Sequence, residues 1–376
     1  MATVSPLSIK YRPKDLTQVI GQPVVVKAFQ NSFKHKTLHH AYILAGKFGC
    51  GKTTVARIVA AMENCVKGPT QTPCGECKNC KEIFEGKSFD IREMDAASNR
   101  GVDDIRQLKK EIYQSPLECR VKYIIIDEAH SLTREGAEAA LKMIEEPPEN
   151  VRFILATTDP HKLKETIHSR CIMWKFNKVG WAELYAHIKN IANQEGLRFE
   201  DDALKICAKS SKGSVRNSLQ NLQTTMNYVG GGEITAEAAK EALGAVDDKL
   251  YFDLMGAIAN DDAAKALNYV NLLLIDGKEI GLIINGINTH ISHLLKSRVL
   301  QKDLSQFAFT EEEAKRYGEQ SDAMFSGHAL LMMMKQLREI SFGINYNLDP
   351  QAELEEFVVN AIQEIKMAKN RVAKKH

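Results

Sequence analysis

The chain lacks any long hydrophobic run, because no stretch approaches the ~18 consecutive apolar residues that a membrane-spanning helix needs. No apolar segment of the signal-peptide type precedes Lys10 and Arg12. An excess of charge is also missing, since 50 Lys and Arg stand against 48 Asp and Glu for a formal charge of +2. Binding of nucleic acid or membrane by net charge is therefore excluded, and any DNA contact must be local. These absences predict a cytoplasmic protein without membrane contact.

The length and composition predict two or three globular domains, because 376 residues with 44% hydrophobic side chains can build more than one core. Up to Lys178, short β-branched or aromatic runs alternate with helical patterns. The runs predict strands at residues 41–45, 90–94, 121–126, 152–156 and 172–176, with helices beginning near Lys52, Gly101, Thr133 and Lys162. Such alternation is typical of an α/β fold with a parallel sheet covered by helices on both faces.

After Lys178 the sequence offers only amphipathic helical patterns. A first all-helical block, residues 179–244, contains predicted helices at 181–194, 201–209, 214–228 and 235–243. A second block, residues 245–376, contains predicted helices at 262–275, 280–300, 321–342 and 351–369. Thr310 and Glu313 have capping-box spacing, which predicts that a shorter helix starts there, between these longer helices.

A phosphate-binding loop is the strongest motif, and it lies between the first strand and the helix near Lys52, as that motif requires. The loop amides would surround phosphate oxygens, Lys52 would reach the β- and γ-phosphates, and the Thr53 hydroxyl would bind Mg²⁺. The residues predicted to bind nucleotide here are Gly46, Gly49, Cys50, Gly51, Lys52, Thr53 and Thr54.

Two carboxylates, Asp127 and Glu128, follow the apolar run 121–126. The end of a buried parallel strand places them beside the phosphate loop. Asp127 is expected to hold Mg²⁺, and Glu128 to orient and polarise the attacking water. His130 completes four letters that also name a helicase class, but other helicase motifs are not evident, so we interpret His130 as incidental.

Hydroxyl groups end the next predicted strand, at Thr157 and Thr158. Thr158 is our choice for a sensor of the γ-phosphate. The alternative, that both threonines cap the following turn, is equally compatible with the spacing.

Four of the eight cysteines, Cys65, Cys74, Cys77 and Cys80, fall within sixteen residues. Two consecutive Cys-x-x-Cys steps allow four thiolates to converge tetrahedrally on one Zn²⁺, which predicts a structural site without an open coordination position. Four unrelated reduced thiols are the alternative.

In order and spacing, these motifs resemble the AAA+ ATPases, and within them the bacterial and phage clamp-loader subunits of the DNA polymerase III gamma/tau type. The resemblance covers about residues 7–244 and rests on further short segments. These are Tyr11 to Pro13, Val19 to Gln22, Asp95 to Ser98, Glu145 to Pro148, Ala156 to Pro160 and Ser169 to Cys171. It implies an AAA+ core at 1–178 with an inserted zinc module at about 63–84, a helical lid at 179–244 and a helical collar at 245–376.

The resemblance also implies roles for single residues. Arg12, Val19 and Ile20 would line the adenine pocket. Arg170 would be an arginine finger that reaches the γ-phosphate of a neighbouring subunit, because a planar guanidinium neutralises charge on the transferring phosphoryl group. Arg216 would sense the γ-phosphate in its own subunit. A surface ion pair for Arg170 and an exposed helix-start position for Arg216 are the alternatives.

The implied function is that of the ATP-hydrolysing motor in a sliding-clamp loader, acting in a subunit ring, expected to be pentameric, that opens the clamp and loads it onto primed DNA. Contacts with DNA would be sequence-independent, with Arg100, Arg106 and Lys109 as candidates if they do not simply form a solvated face. The chain ends near the predicted collar, which suggests a short form of the family. The alternatives are a structural, non-hydrolysing loader subunit, which the intact loop and carboxylates disfavour, or another AAA+ DNA-remodelling ATPase.

Overall fold

A computed structural model describes residues 5–98, 102–244, 248–275, 280–300, 311–324, 326–343 and 349–373. The chain divides into two compact units, Met1–Ala239 and Lys240–His376. The predicted AAA+ core and most of the predicted lid lie together in the first unit. The threefold division predicted from the sequence stays a prediction.

A five-stranded parallel sheet forms the centre of the first unit, with strand order β2-β3-β4-β1-β5. Its strands are β1 (Ala41–Gly46), β2 (Ile91–Asp95), β3 (Lys122–Asp127), β4 (Val151–Thr157) and β5 (Ile172–Phe176). All five predicted strands are confirmed, and their bounds differ by no more than one residue. They are readable in sequence because strands buried on both faces are nearly continuous apolar runs.

Helices cover both faces of this sheet. Before and between the strands lie α1 (Leu7–Lys10), α2 (Pro23–His35), α3 (Lys52–Asn64), α4 (Lys78–Glu85), α5 (Val102–Ile112), α6 (Arg134–Glu145) and α7 (Glu165–His168). Tyr42 and Leu44 pack with α2 and α3, whereas Ile43 packs with α5 and α6 on the opposite face. Alternate side chains of a strand point to opposite faces, so each strand contributes to two cores.

Four further helices follow β5: α8 (Trp181–Gln194), α9 (Asp201–Ser210), α10 (Val215–Val229) and α11 (Ala236–Ala242). The predicted bounds of all four are confirmed to within one residue. The N-terminal helix α1 packs against α10, so the start of the chain lies on this helical part of the unit.

The second unit consists of helices among its described residues: α12 (Asp248–Ala259), α13 (Ala263–Ile275), α14 (Ile280–Val299), α15 (Glu311–Met324), α16 (Gly327–Gly343) and α17 (Pro350–Ala373). Helix α12 was not predicted. The single helix predicted at 321–342 is wrong, because α15 ends at Met324 and α16 begins at Gly327. The proposed cap residue Thr310 lies outside the described residues. No helix in the described ranges has the length and apolar character needed to cross a membrane.

Candidate functional site

The phosphate loop joins β1 to α3 through two glycines with positive φ, Gly49 at +73° and Gly51 at +101°. Lys52 is buried and donates from Nζ to the carbonyl oxygens of Gly46 at 2.9 Å and Lys47 at 3.3 Å. Its ammonium group therefore lies inside the curve of the loop, where the first-turn amides of α3 also add partial positive charge. The arrangement is suited to a phosphate chain.

A hydroxyl and a carboxylate meet beside this loop. Thr53 Oγ1 donates to Asp127 Oδ2 at 2.8 Å, and the other Asp127 oxygen accepts the backbone N–H of Glu128 at 2.9 Å. Both Thr53 and Asp127 offer oxygen ligands, which Mg²⁺ prefers, so the pair fits this ion. The sequence prediction that these two residues lie together is met by the geometry, while the metal itself stays a proposal.

Glu128 sits in a left-handed backbone conformation, with φ at +48°, directly after β3. Thr158 Oγ1, at the end of neighbouring β4, donates to Glu128 Oε2 at 2.9 Å. Thr158 therefore contacts Glu128, the carboxylate that the sequence predicts to orient water. Its hydroxyl bonds this carboxylate and does not cap the following turn.

His130, which we interpreted as incidental, contacts two side chains at this edge of the sheet. Its Nδ1 lies 3.0 Å from Thr157 Oγ1 and 3.3 Å from Glu128 Oε2. The imidazole therefore belongs to the same group of side chains as Glu128 and Thr158. The contact with Thr157 depends on the pairing of β3 with β4, which spacing along the chain does not reveal.

A cavity of about 750 Å³ opens over the phosphate loop. It is lined by most residues that were predicted to bind nucleotide or to act on it, namely Arg12, Val19, Ile20, Gly49, Cys50, Gly51, Lys52, Thr53, Thr54, Asp127, Glu128 and Arg216. Gly46 is not among the lining residues, but its carbonyl oxygen accepts a hydrogen bond from Lys52 Nζ. Polar side chains of α10 also line the cavity, including Gln220, Gln223 and Thr224, which the sequence did not single out.

The helical part of the unit touches the phosphate loop directly. The backbone N–H of Arg216 donates to the carbonyl of Gly49 at 3.3 Å, and the Arg216 guanidinium lies 5.1 Å from the centre of the Phe48 ring. A Cβ at Gly49 would lie 2.1 Å from Ser214 Oγ. The loop and the start of α10 are therefore in close contact, and the exposed Arg216 side chain stands at the cavity wall.

The N-terminal segment that contains Lys10 and Tyr11 also contacts the helical part that follows β5. Glu195, after α8, accepts from Tyr11 Oη at 2.5 Å and pairs with Lys10 Nζ at 2.6 Å. Burial lowers the pKa of Arg12, and the nearby cation Arg57 lowers it further. The segment thus holds a desolvated cation at the cavity wall, which favours an anionic ligand.

Arg170 lies apart from this cavity. Its Nη2 pairs with Glu145 Oε1 at 2.6 Å, and its Nη1 donates to the Thr166 carbonyl at 2.8 Å and to Ser169 Oγ at 3.0 Å. The surface ion pair that was the alternative interpretation is therefore observed. The role of Arg170 at a neighbouring subunit stays a prediction.

The four cysteines, hereafter the cysteine cluster (Cys65, Cys74, Cys77 and Cys80), converge between α3 and α4. Their Sγ atoms all lie within 4.8 Å of one another, and those of Cys74 and Cys80 are 4.0 Å apart. A tetrahedral zinc site with Zn–S bonds of ~2.3 Å has sulfur atoms ~3.8 Å apart, so the cluster fits Zn²⁺. Backbone N–H groups of Cys77 and Glu76 lower the pKa of Cys74 to about 6, whereas burial raises the pKa of Cys80.

Of the three basic residues considered for DNA contact, Arg100 lies outside the described residues, and the side chain of Arg106 is likewise not described. Lys109 is exposed on α5. The structure therefore leaves the DNA contact as a prediction.

Comparisons with known sequences find relatives among the subunits of DNA polymerase III. Residues 21–180 match the family described as DNA polymerase III, delta subunit, and residues 234–372 match DNA polymerase III subunits gamma and tau domain III. DNA polymerase III subunit gamma of Buchnera aphidicola subsp. Schizaphis graminum is 34% identical over 96% of this chain and 98% of its own. DNA polymerase III subunit tau/gamma of Haemophilus influenzae is 42% identical over 67% of this chain, but the match spans only 36% of that protein. Among solved structures, the RuvB Holliday junction branch migration motor of Thermotoga maritima covers 66% of this chain and 79% of its own, with a TM-score of 0.48 and 21% identity.

Proposed function

This chain belongs to the family of DNA polymerase III gamma and tau subunits, and from that premise we propose that it is the ATP-hydrolysing motor subunit of a sliding-clamp loader. It would act with other loader subunits in a ring, bind and open the sliding clamp, and place it on primed DNA. The observation that carries the proposal is the complete phosphate site, in which Lys52, Thr53 and Asp127 meet at one edge of the sheet.

Nucleotide binding follows from the charges around the cavity. Lys52 exchanges its contacts with loop carbonyls for contacts with phosphate oxygens, because a charged acceptor makes the stronger hydrogen bond. Arg12, Val19 and Ile20 line the part of the cavity near the N-terminal segment and would hold the base. Thr53 and Asp127 would hold Mg²⁺, which supplies positive charge against the phosphates.

Hydrolysis needs a water molecule in line with the γ-phosphate, and Glu128, which lines the cavity, would orient it. Thr158, which holds Glu128 Oε2, would report the presence of the γ-phosphate to this carboxylate. Arg216 would approach the γ-phosphate from the lid of the same subunit. Arg170 would leave Glu145 and approach the phosphates of a neighbouring subunit, where its charge stabilises the transition state.

Two further parts complete the proposal. The cysteine cluster would hold a structural Zn²⁺ that fixes the segment between α3 and α4, without an open position for catalysis. The helices of the second unit would form the collar that joins subunits. Contact with primed DNA would be through phosphates and so independent of sequence.

The test is the steady-state ATPase rate of the assembled loader, with and without the sliding clamp and primed DNA. The wild type and Arg170→Ala are compared with Arg134→Ala, which removes an arginine that is 82% exposed and pairs with Glu138 on its own helix. We expect clamp and DNA to stimulate the wild type and Arg134→Ala, and Arg170→Ala to lose about 10³-fold or more in rate while still binding ATP.

The outcomes separate the alternative functions. A wild-type loader that binds ATP but does not hydrolyse it under any condition would be a structural subunit. A wild-type rate that ignores the clamp would indicate another AAA+ remodelling ATPase. Full activity in Arg170→Ala would remove the shared-site mechanism.

A further inference from the structure

His130 has an unexplained place in the phosphate site. It lies in the single 3₁₀ turn, Ala129–Ser131, that follows β3, and its side chain is only 17% exposed. Its Nδ1 faces two oxygens, Thr157 Oγ1 at 3.0 Å and Glu128 Oε2 at 3.3 Å. A histidine that only filled space would not need to direct one ring nitrogen at the carboxylate of the proposed water-orienting residue.

The hydrogen positions follow from the partners. Thr157 is fully buried, and its Oγ1 already accepts the backbone N–H of Asp159 at 3.1 Å. Glu128 Oε2 already accepts the hydroxyl of Thr158. A lone pair on His130 Nδ1 would face the negative carboxylate oxygen, so we assign the ring proton to Nδ1, where it points toward both oxygens.

Thr158 therefore donates to Glu128 Oε2, and His130 Nδ1 lies 3.3 Å from the same oxygen. Among the described residues, none donates to the other oxygen, Oε1, and Glu128 lines the cavity. Fixing Oε2 fixes the plane of the carboxylate and leaves Oε1 available to accept a proton from water.

We propose that His130 is a positioning residue for Glu128, which uses its Nδ1 proton to orient the carboxylate for attack of water on ATP. This inference rests on the proposed function, because it assumes that Glu128 orients the water. His130 itself is not among the residues that line the cavity. Its removal should reduce turnover and leave nucleotide affinity unchanged.

The experiment exploits the difference between the two ring nitrogens. In His130→Asn the side-chain amide nitrogen occupies about the position of Nδ1, whereas in His130→Gln it reaches toward the position of Nε2. The assembled loader carrying each variant is assayed for kcat with clamp and primed DNA, for Kd with a fluorescent ATP analogue, and for Tm. His161→Gln, an exposed histidine on the turn after β4, is the matched control.

We expect kcat to fall ~10- to 100-fold in His130→Gln, which is the usual consequence of a catalytic group displaced by about 1 Å. Kd and Tm should be unchanged, His130→Asn should recover most of the rate, and His161→Gln should match the wild type. In a Glu128→Gln background, His130→Gln should cause no further loss, because the two residues act as a unit.

The opposite results overturn the proposal. Equal rates in His130→Gln and the wild type would show that Glu128 needs no support from the ring. Equal loss in His130→Asn and His130→Gln, or a further loss in the Glu128→Gln background, would show that the effect does not pass through Nδ1 and Glu128. These failures differ from failure of the proposed function, which would appear as a wild-type rate that clamp and DNA do not stimulate.

Discussion

Adding one methyl group to the phosphate loop should separate the loop from the start of α10. In Gly49→Ala, the new Cβ would lie 2.1 Å from Ser214 Oγ and 3.1 Å from Arg216 Cβ. Ser214 cannot simply turn away, because its hydroxyl caps α10 by accepting the backbone N–H of Asn217 at 3.2 Å. The substitution must displace either the loop or the cap.

The size of the effect has two parts. Alanine at a φ of +73° costs about 1–2 kcal/mol, because the left-handed conformation brings Cβ close to the following carbonyl oxygen. Loss of a Ser N-cap costs a further ~0.5–2 kcal/mol. Only the second part reports on contact between loop and lid.

Gly196 provides the matched control, since its φ is +66° and a Cβ there meets nothing within 4 Å. Gly196→Ala should therefore carry only the conformational cost. The expected difference in the free energy of unfolding between the two variants is about 0.5–2 kcal/mol. For a unit of this size, that corresponds to a Tm lower by about 1–8 °C in Gly49→Ala.

The assay is thermal unfolding without nucleotide, followed by calorimetry, together with ATP titration of each variant. Gly49→Ala should also bind ATP more weakly than Gly196→Ala, because its loop is displaced. Equal Tm values for the two variants would refute the reasoning, because the close approach of Gly49 to Ser214 would then not affect the free energy of unfolding.

Three further predictions concern the remaining features. Cys77→Ser should lower the zinc content of the purified protein and its Tm, as measured by metal analysis and calorimetry; a full zinc content would contradict a four-thiolate site. Burial lowers the pKa of His290 to about 4, against 6.5 in the unfolded chain. Between these two pH values the unfolded chain binds more protons than the folded protein. The free energy of unfolding therefore falls as pH falls, by up to about 3 kcal/mol. Tm measured against pH should therefore be flatter in His290→Gln, and parallel curves would contradict this account. Asn64→Ala should cost ~2–4 kcal/mol in urea unfolding, because the buried Asn64 amide bonds the backbone of Arg120 and Val121; a loss below ~0.5 kcal/mol would show that water replaces these bonds.

The strands were predictable because burial on both faces leaves an unambiguous apolar run, as at β3. Helix α2 was missed, since its valine-rich start has β-propensity and its helical state depends on packing of Val25 and Phe29 under the sheet. Helix α12 was missed for a related reason, because it is apolar on more than one face and lacks clear periodicity. In both helices tertiary burial overrides the local signal.

Within the site, the sequence found the residues whose chemistry is carried by a short motif. The loop from Gly46 to Thr53 and the pair Asp127 and Glu128 were located because neighbours in sequence are neighbours in the site. The role of His130 and the bond of Tyr11 to Glu195 could not be found in this way, since the bond joins residues 184 positions apart.

Short motifs in the sequence were enough to identify the side chains that could meet phosphate and zinc, because those ligands come from contiguous or closely spaced residues. The magnesium candidates Thr53 and Asp127 are 74 positions apart, and they come from two such motifs. The tertiary structure alone decided how these residues are held. The pairing of β3 with β4 brings Thr158 to Glu128 and Thr157 to His130, and the packing of α10 on the loop brings Ser214 to Gly49. Such contacts depend on how distant segments pack, and this packing cannot be read from the spacing of residues along the chain.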